Sequence, residues 1–147
     1  MIIDIHTHTF PDKLASTTIP KLEQMSHTKS YVDGTNGGLM ASMAKAGVNY
    51  SVVLPVATSP KQVLHINDSS ARINEQFAQT GIFSFGCIHP DYDDYRAELA
   101  RVKELGLRAS SSTPSTRTWI LTTSAHCVFW TGPLSWASLC SPTPAWT

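Results

Sequence analysis

The segment of this chain best suited to chemistry is Asp4-Ile5-His6-Thr7-His8, close to its start. Side chains along a β-strand alternate between two faces, so the spacing predicts that Asp4, His6 and His8 point to one face. Two imidazoles at the carboxyl end of a strand can converge on one metal ion, and imidazole suits several divalent metals, so the spacing does not name the metal. A nearby carboxylate can orient a ligating imidazole, which predicts a supporting role for Asp4. The competing interpretation, a polar loop, is disfavoured because the pair directly follows an apolar strand.

The elements around this segment alternate between strand and helix patterns. Strands are predicted at 2–6, 50–54 and 82–88, and all are apolar on both faces. Helices are predicted from Asp12 with an interruption at Pro20, then at 37–46, 67–80 and 93–105. Such strands belong in a parallel sheet covered by helices, so the fold class is α/β. An open doubly wound sheet and a (β/α)8 barrel both begin this way, and no glycine-rich fingerprint after the first strand supports a dinucleotide site.

Composition narrows the classes of partner. The 147 residues carry 11 Lys and Arg against 11 Asp and Glu, a balance that argues against a nucleic-acid partner. No apolar run approaches the roughly 18–20 residues of a membrane helix, and the start lacks the pattern of a signal peptide. Three cysteines do not make a disulfide framework. We therefore expect a cytoplasmic chain without a membrane partner, whose oligomeric state the sequence does not fix.

The first 108 residues resemble a known family. The opening reads Ile3-Asp4-Ile5-His6-Thr7-His8-Thr9-Phe10-Pro11 and resembles the first strand of the amidohydrolase superfamily, in its amidohydrolase-related branch. The Phe-Pro pair favours that branch over TatD-like nucleases and PHP-type phosphoesterases, which also open with His-x-His. Two later segments resemble the same branch: Cys87-Ile88-His89-Pro90 and Glu104-Leu105-Gly106-Leu107. The resemblance implies the N-terminal β/α units of a TIM-type (β/α)8 barrel.

The resemblance also implies a function. His6 and His8 would bind a divalent metal, most commonly zinc, and His89 at the end of the third strand could face a substrate or cap a loop. The family reaction is attack of a metal-activated water on an amide, ester or lactone carbonyl of a small molecule, or a related decarboxylation. The family's other ligands, two histidines on strands five and six and an aspartate on strand eight that is also the catalytic base, have no counterpart here. We therefore assign no catalytic residue and expect an inactive, truncated form.

The tail 109–147 is unlike the rest of the chain. Residues 1–108 hold 21 of the 22 charged residues, whereas the tail holds 16 Ser or Thr and all four tryptophans. A reading frame shifted by one base gives the tail a different sequence. In that frame the third base of each codon is read with the first two bases of the next codon. The codons of the tail then allow the sequence G-I-K-L-H-P-E-Y-Q-D and, from Trp130, the sequence D-G-A-A-E-L-G-L-P-V-L-A-H-A-G. The second string resembles the helix after strand four and the strand-five metal histidine of the family.

Two hypotheses for the tail follow. The first is that 109–147 is a frame-shifted, non-native sequence. The second is a genuine extension, in which case the protein would be a non-enzymatic interaction protein that binds a partner through the tryptophan-rich tail.

Several other residues with reactive side chains are expected to be structural. Cys87 lies inside an apolar strand and is predicted to be a buried, inert thiol. The acidic residues before the last helix are predicted to cap it, because carboxylates are favoured at a helix N-terminus; they are Asp91, Asp93 and Asp94. His27 and His65 are predicted to lie on the surface.

Overall fold

A computed structural model describes residues 1–112 and 128–129 of the chain, with side chains described for 1–108. These residues form six strands: β1 (Ile3–Thr7), β2 (Tyr50–Val53), β3 (Ile82–Ser84), β4 (Gly86–Ile88), β5 (Ala109–Ser112) and β6 (Val128–Phe129). They also form five α-helices: α1 (Asp12–Ser26), α2 (Asn36–Ala46), α3 (Val63–Glu75), α4 (Phe77–Thr80) and α5 (Tyr95–Glu104). None of these helices is both long and apolar enough to span a membrane.

The strands form two small sheets. In the first, β1, β2 and β3 lie side by side and are all parallel. In the second, β4 is parallel to β5, and β5 is antiparallel to β6. The predicted α/β class with parallel strands is confirmed. The strands of the described residues make open sheets, so a closed (β/α)8 barrel is not what this part of the chain forms.

The predicted single strand at 82–88 is wrong, because the chain breaks at Phe85 into β3 and β4. Two asparagines of α3 bond the main chain on either side of the break. Asn74 bonds the N–H and the carbonyl of Ser84 at 2.7 and 2.9 Å, and Asn67 does the same for Cys87 at 2.7 and 3.0 Å. Each side-chain amide makes the backbone hydrogen bonds that a neighbouring strand would otherwise make. The chain can therefore pass from one sheet to the other without leaving buried backbone groups unpaired.

Side chains cap the starts of α2 and α5. Thr35 precedes α2 and its hydroxyl accepts the N–H of Gly38, while Gly47 ends the helix in the left-handed conformation. In α5 the cap is Asp94 rather than Asp93, and its carboxylate accepts the N–H of Ala97. The predicted capping role is therefore confirmed for Asp94.

Two helix predictions are wrong. The interruption predicted at Pro20 does not occur, because α1 runs through it from Asp12 to Ser26. A proline removes one backbone hydrogen bond, and the turns on either side keep theirs. The helix predicted to begin at 67 begins instead at Val63, after a 3-10 turn over Pro60–Gln62. Asn67 is therefore a buried residue inside α3.

Apolar side chains pack on both faces of the first sheet. One face carries a cluster of Met43, Val53 and Ile82 against α2 and α3. The opposite face carries Leu54 and Phe85, with Val52 and Phe83 packed against them.

The prediction of a buried first strand is wrong. Ile3 and Ile5 are 47% and 73% exposed, respectively. Among the described residues β1 pairs only with β2 and forms the edge of its sheet. The prediction assumed cover on both faces, and the described part of the chain does not supply it.

A buried polar network joins α3, β4 and α5. Glu98 is only 3% exposed and accepts a hydrogen bond from the Asn67 side chain at 2.6 Å. Arg101 donates to Glu98 from Nε at 2.9 Å and from a terminal nitrogen at 2.8 Å, and it also donates to Asp68 at 2.6 Å. The buried carboxylate is thus paired and hydrogen-bonded, as a buried charge must be.

Asp68 makes the stability of this network dependent on pH. The hydrogen bond from Arg101 lowers the pKa of the Asp68 carboxyl below its usual value. A carboxyl with a depressed pKa in the folded state contributes stability above its unfolded-state pKa, and that contribution is lost as the pH falls toward the folded-state pKa. We expect Asp68→Asn to lower the free energy of unfolding at pH 7 and to reduce its decline between about pH 5 and about pH 3. Urea unfolding across that range measures both effects, and an acid decline as steep as that of the wild type would contradict the role of Asp68.

Candidate metal centre

Two imidazoles converge at the carboxyl end of β1. His6 lies near the end of the strand, and His8 is the first residue after it. Their Nε2 atoms are 3.2 Å apart, and the two rings meet edge to face with centroids 5.0 Å apart. Both side chains are exposed. The two Nε2 atoms therefore lie within hydrogen-bonding distance of each other at an exposed position.

The tautomer of His8 is fixed by a backbone carbonyl. Its Nδ1 atom lies 2.7 Å from the carbonyl oxygen of Leu54, just after β2. A carbonyl oxygen only accepts hydrogen bonds, so Nδ1 carries the proton and donates it. The neutral ring then has its lone pair on Nε2, the atom that faces His6. This is the arrangement in which a histidine binds a metal while its second nitrogen holds the ring in place.

The spacing of the two nitrogens fits a shared metal ion. Zinc–imidazole bonds of about 2.0–2.1 Å at a tetrahedral angle place two ligand nitrogens about 3.3–3.4 Å apart. The observed separation of 3.2 Å agrees with that distance. The donors are also of the right kind, since neutral imidazole is a common ligand of zinc, copper, iron and nickel.

The strand positions the pair through an irregularity in its register. Asp4 lies level with Ser51 and Thr7 with Val53, so three steps along β1 correspond to two along β2. The side chains of Asp4 and Thr7 therefore share the face of Ser51 and Val53. His6 and His8 flank Thr7 and take the opposite face. The prediction that Asp4 shares a face with both histidines is wrong, because it assumed regular alternation through the whole segment.

The position of Asp4 changes what it can do for the pair. Its carboxylate accepts the backbone N–H of His6 at 3.1 Å. This contact fixes the main chain at the irregularity and so acts on the ring of His6 indirectly. The direct contact of Asp4 with an imidazole stays a prediction.

Two contacts that sequence reasoning missed hold the end of β1 in place. The Thr7 hydroxyl donates to the carbonyl of Val52 at 2.9 Å, and the Leu54 N–H donates to the carbonyl of Thr7 at 2.8 Å. The carbonyl that orients His8 belongs to the same Leu54. Any residue at position 54 would offer a backbone carbonyl to His8, so the leucine itself is no signal. The signal is that β1 and β2 are parallel and end together, which places the carbonyl after β2 beside the residue after β1.

His89 lies in the turn that leads from β4 to α5. It is 9% exposed, and its Nδ1 accepts the N–H of Asp91 at 3.1 Å. The N–H of Tyr92 in turn donates to the His89 carbonyl at 3.0 Å. These contacts are those of a residue that caps its own turn. A contact with substrate stays a prediction.

Within the described residues, no third His, Cys, Asp or Glu joins His6 and His8 in a group that could hold a metal. The described residues therefore bring together two imidazoles and no further candidate ligand. His126, Cys127 and Cys140 lie outside the described residues.

Cys87 is buried and chemically inert. Burial, and next to it the charge of Glu98, raises the pKa of its thiol to about 12. Because the thiolate is the reactive form, we expect Cys87 in a Cys127→Ser/Cys140→Ser variant to react with Ellman's reagent at pH 8 only as fast as the protein opens. Addition of urea should then release the full reaction at once, whereas complete labelling within seconds in buffer would contradict the burial.

Comparison with known proteins finds no matching family model, no similar curated protein and no similar solved structure.

Proposed function

We propose that His6 and His8 are two ligands of a divalent metal, zinc in the first place, in a hydrolase of the amidohydrolase-related type. The observation that carries the proposal is the 3.2 Å approach of the two Nε2 atoms at the carboxyl end of β1. The bond from His8 to the Leu54 carbonyl supports it, because it leaves the lone pair on Nε2, the atom that now contacts His6 Nε2 and that a metal would take. Active sites of parallel β/α folds lie at this end of the strands.

A metal bound there would lower the pKa of a bound water and polarise a carbonyl oxygen. The substrate class is a small molecule with an amide, ester or lactone carbonyl, or one open to a related decarboxylation. The protein's own contribution is to hold the imidazoles. Leu54 orients His8, and Thr7 ties the end of β1 to β2. The contacts that Val52 and Leu54 make with this end of β1 are through their backbone carbonyls, while their side chains pack with Phe83 and Phe85.

The chain as it stands is expected to be inactive, because catalytic zinc usually has three protein ligands and the described residues supply two. The frame-shift hypothesis for 109–147 accounts for one missing ligand, the strand-five histidine, and those residues are described only at 109–112 and 128–129. The order of elements in residues 1–108 supports a barrel origin. The neighbouring parallel strands β1, β2 and β3 follow one another along the chain with helices between them, as the first units of a β/α barrel do.

The test is to resequence the coding DNA across codons 104–114 and through the stop, and then to produce the whole product of the restored frame, which must also supply the family's strand-six histidine and strand-eight aspartate. We expect the restored chain to hydrolyse members of a panel of esters, lactones and amides only when loaded with zinc. The 147-residue chain and a restored His6→Ala variant should be inactive on the same panel. Cleavage of phosphodiesters alone by the restored chain would overturn the assignment in favour of a TatD-like or PHP-like enzyme.

A further inference from the structure

The metal pair lies on a part of the molecule that another chain can reach. Both imidazoles are exposed, and they lie at the end of the edge strand β1. Among the described residues only β2 pairs with β1, so its other edge is open. Ile3 and Ile5 on this strand are also exposed. Exposed apolar side chains on an unpaired edge strand favour association with a further chain.

The number of ligands indicates which chain that is. A closed tetrahedral zinc site takes four protein ligands, and each copy of this chain presents two imidazoles whose spacing fits such a site. Two copies related by a twofold axis would present the same pair twice, which completes the set. The formal charge of the chain is zero, so two copies approach without net repulsion.

We propose, on the basis of the metal-binding role assigned to His6 and His8 above, that two copies of this chain share one divalent metal at the carboxyl ends of their β1 strands. Each copy contributes both histidines. The edge strands then lie next to each other, and the exposed Ile3 and Ile5 side chains can be buried between the copies.

Zinc titration of the chain, stripped of metal with a chelator, tests the proposal by sedimentation velocity. We expect the mass to double from 16.1 kDa as zinc is added, with the dimer most abundant at one zinc per two chains. A large excess of zinc should return the chain to the monomer, because each pair then holds its own ion. A chelator should also reverse the association.

Two variants make the test specific. His6→Ala/His8→Ala should remain monomeric at every zinc concentration. His27→Asn/His65→Ala, which removes two exposed histidines elsewhere, should dimerise as the wild type does. Asparagine is chosen at 27 because that residue has a positive φ of 53°, which asparagine tolerates.

The alternatives give different results. Binding of one zinc per chain through His6 and His8 with no change of mass would overturn the shared site and leave the proposed function standing. Doubling of mass in the His6→Ala/His8→Ala variant would overturn the shared site by placing the association elsewhere. Absence of zinc binding by the wild type would overturn both proposals.

Discussion

Asn67→Ala is expected to reduce the free energy of unfolding by about 3–5 kcal/mol. The side chain is fully buried and makes three hydrogen bonds. It accepts the N–H of Cys87, donates to the carbonyl of Cys87 and donates to Glu98. Truncation leaves both backbone groups of Cys87 without these partners and removes a donor from a buried carboxylate. Each such loss costs about 1–3 kcal/mol, so the three together are large against the stability of a small domain.

Asn74→Ala is the matched control, since it removes the same residue type from the same helix, two turns further on. Asn74 bonds both backbone groups of Ser84 but lies in a half-buried position and does not contact the Glu98 network. We expect a loss of about 1–3 kcal/mol. Urea unfolding followed by circular dichroism measures both variants, because all four tryptophans lie beyond residue 108. An Asn67→Ala loss no larger than that of Asn74→Ala would contradict the role of the network.

Gly81→Ala is expected to cost about 2–5 kcal/mol, from two effects that act together. Gly81 has a φ of 68°, where an alanine is strained. A Cβ built there would also lie 2.6 Å from the carbonyl oxygen of Asn49. That atom belongs to the backbone just before β2, so it cannot move aside without shifting the strand.

Gly47→Ala separates the two effects. Gly47 has nearly the same φ, 70°, but nothing lies within 4 Å of the added Cβ. Only the strain of the left-handed conformation remains, and we expect a loss of about 1–2 kcal/mol. Thermal and urea unfolding of the two variants should therefore differ clearly. Equal losses would show that the close approach of Gly81 to Asn49 contributes nothing.

Local signals predicted the elements that depend on local chemistry. The predicted helix ends at 46, 80 and 105 lie beside Gly47, Gly81 and Gly106, which adopt the left-handed conformation. These residue types act through their own backbone or through the next turn, so a short window of sequence contains the whole cause. The convergence of His6 and His8 was also predictable, since their spacing and the preceding strand are both local.

The features that were missed depend on contacts between distant residues. The break at Phe85 exists because Asn67 and Asn74, from a helix that precedes it, take the place of a strand partner. The face of Asp4 depends on the register between β1 and β2, which lie more than 40 residues apart. The burial of β1 depends on what covers the sheet. Alternation and periodicity carry no information on any of these.

Zinc retention after dialysis tests the central claim, that His6 and His8 form a metal-binding pair, most directly. The wild type, His6→Ala/His8→Ala and the control His27→Asn/His65→Ala are stripped of metal, dialysed together against one zinc buffer, and measured for zinc per chain. We predict that the wild type and the control bind equal amounts and that His6→Ala/His8→Ala falls to the level of the buffer. Circular dichroism should show the same fold for all three. Equal zinc in the double variant and the wild type would contradict the claim.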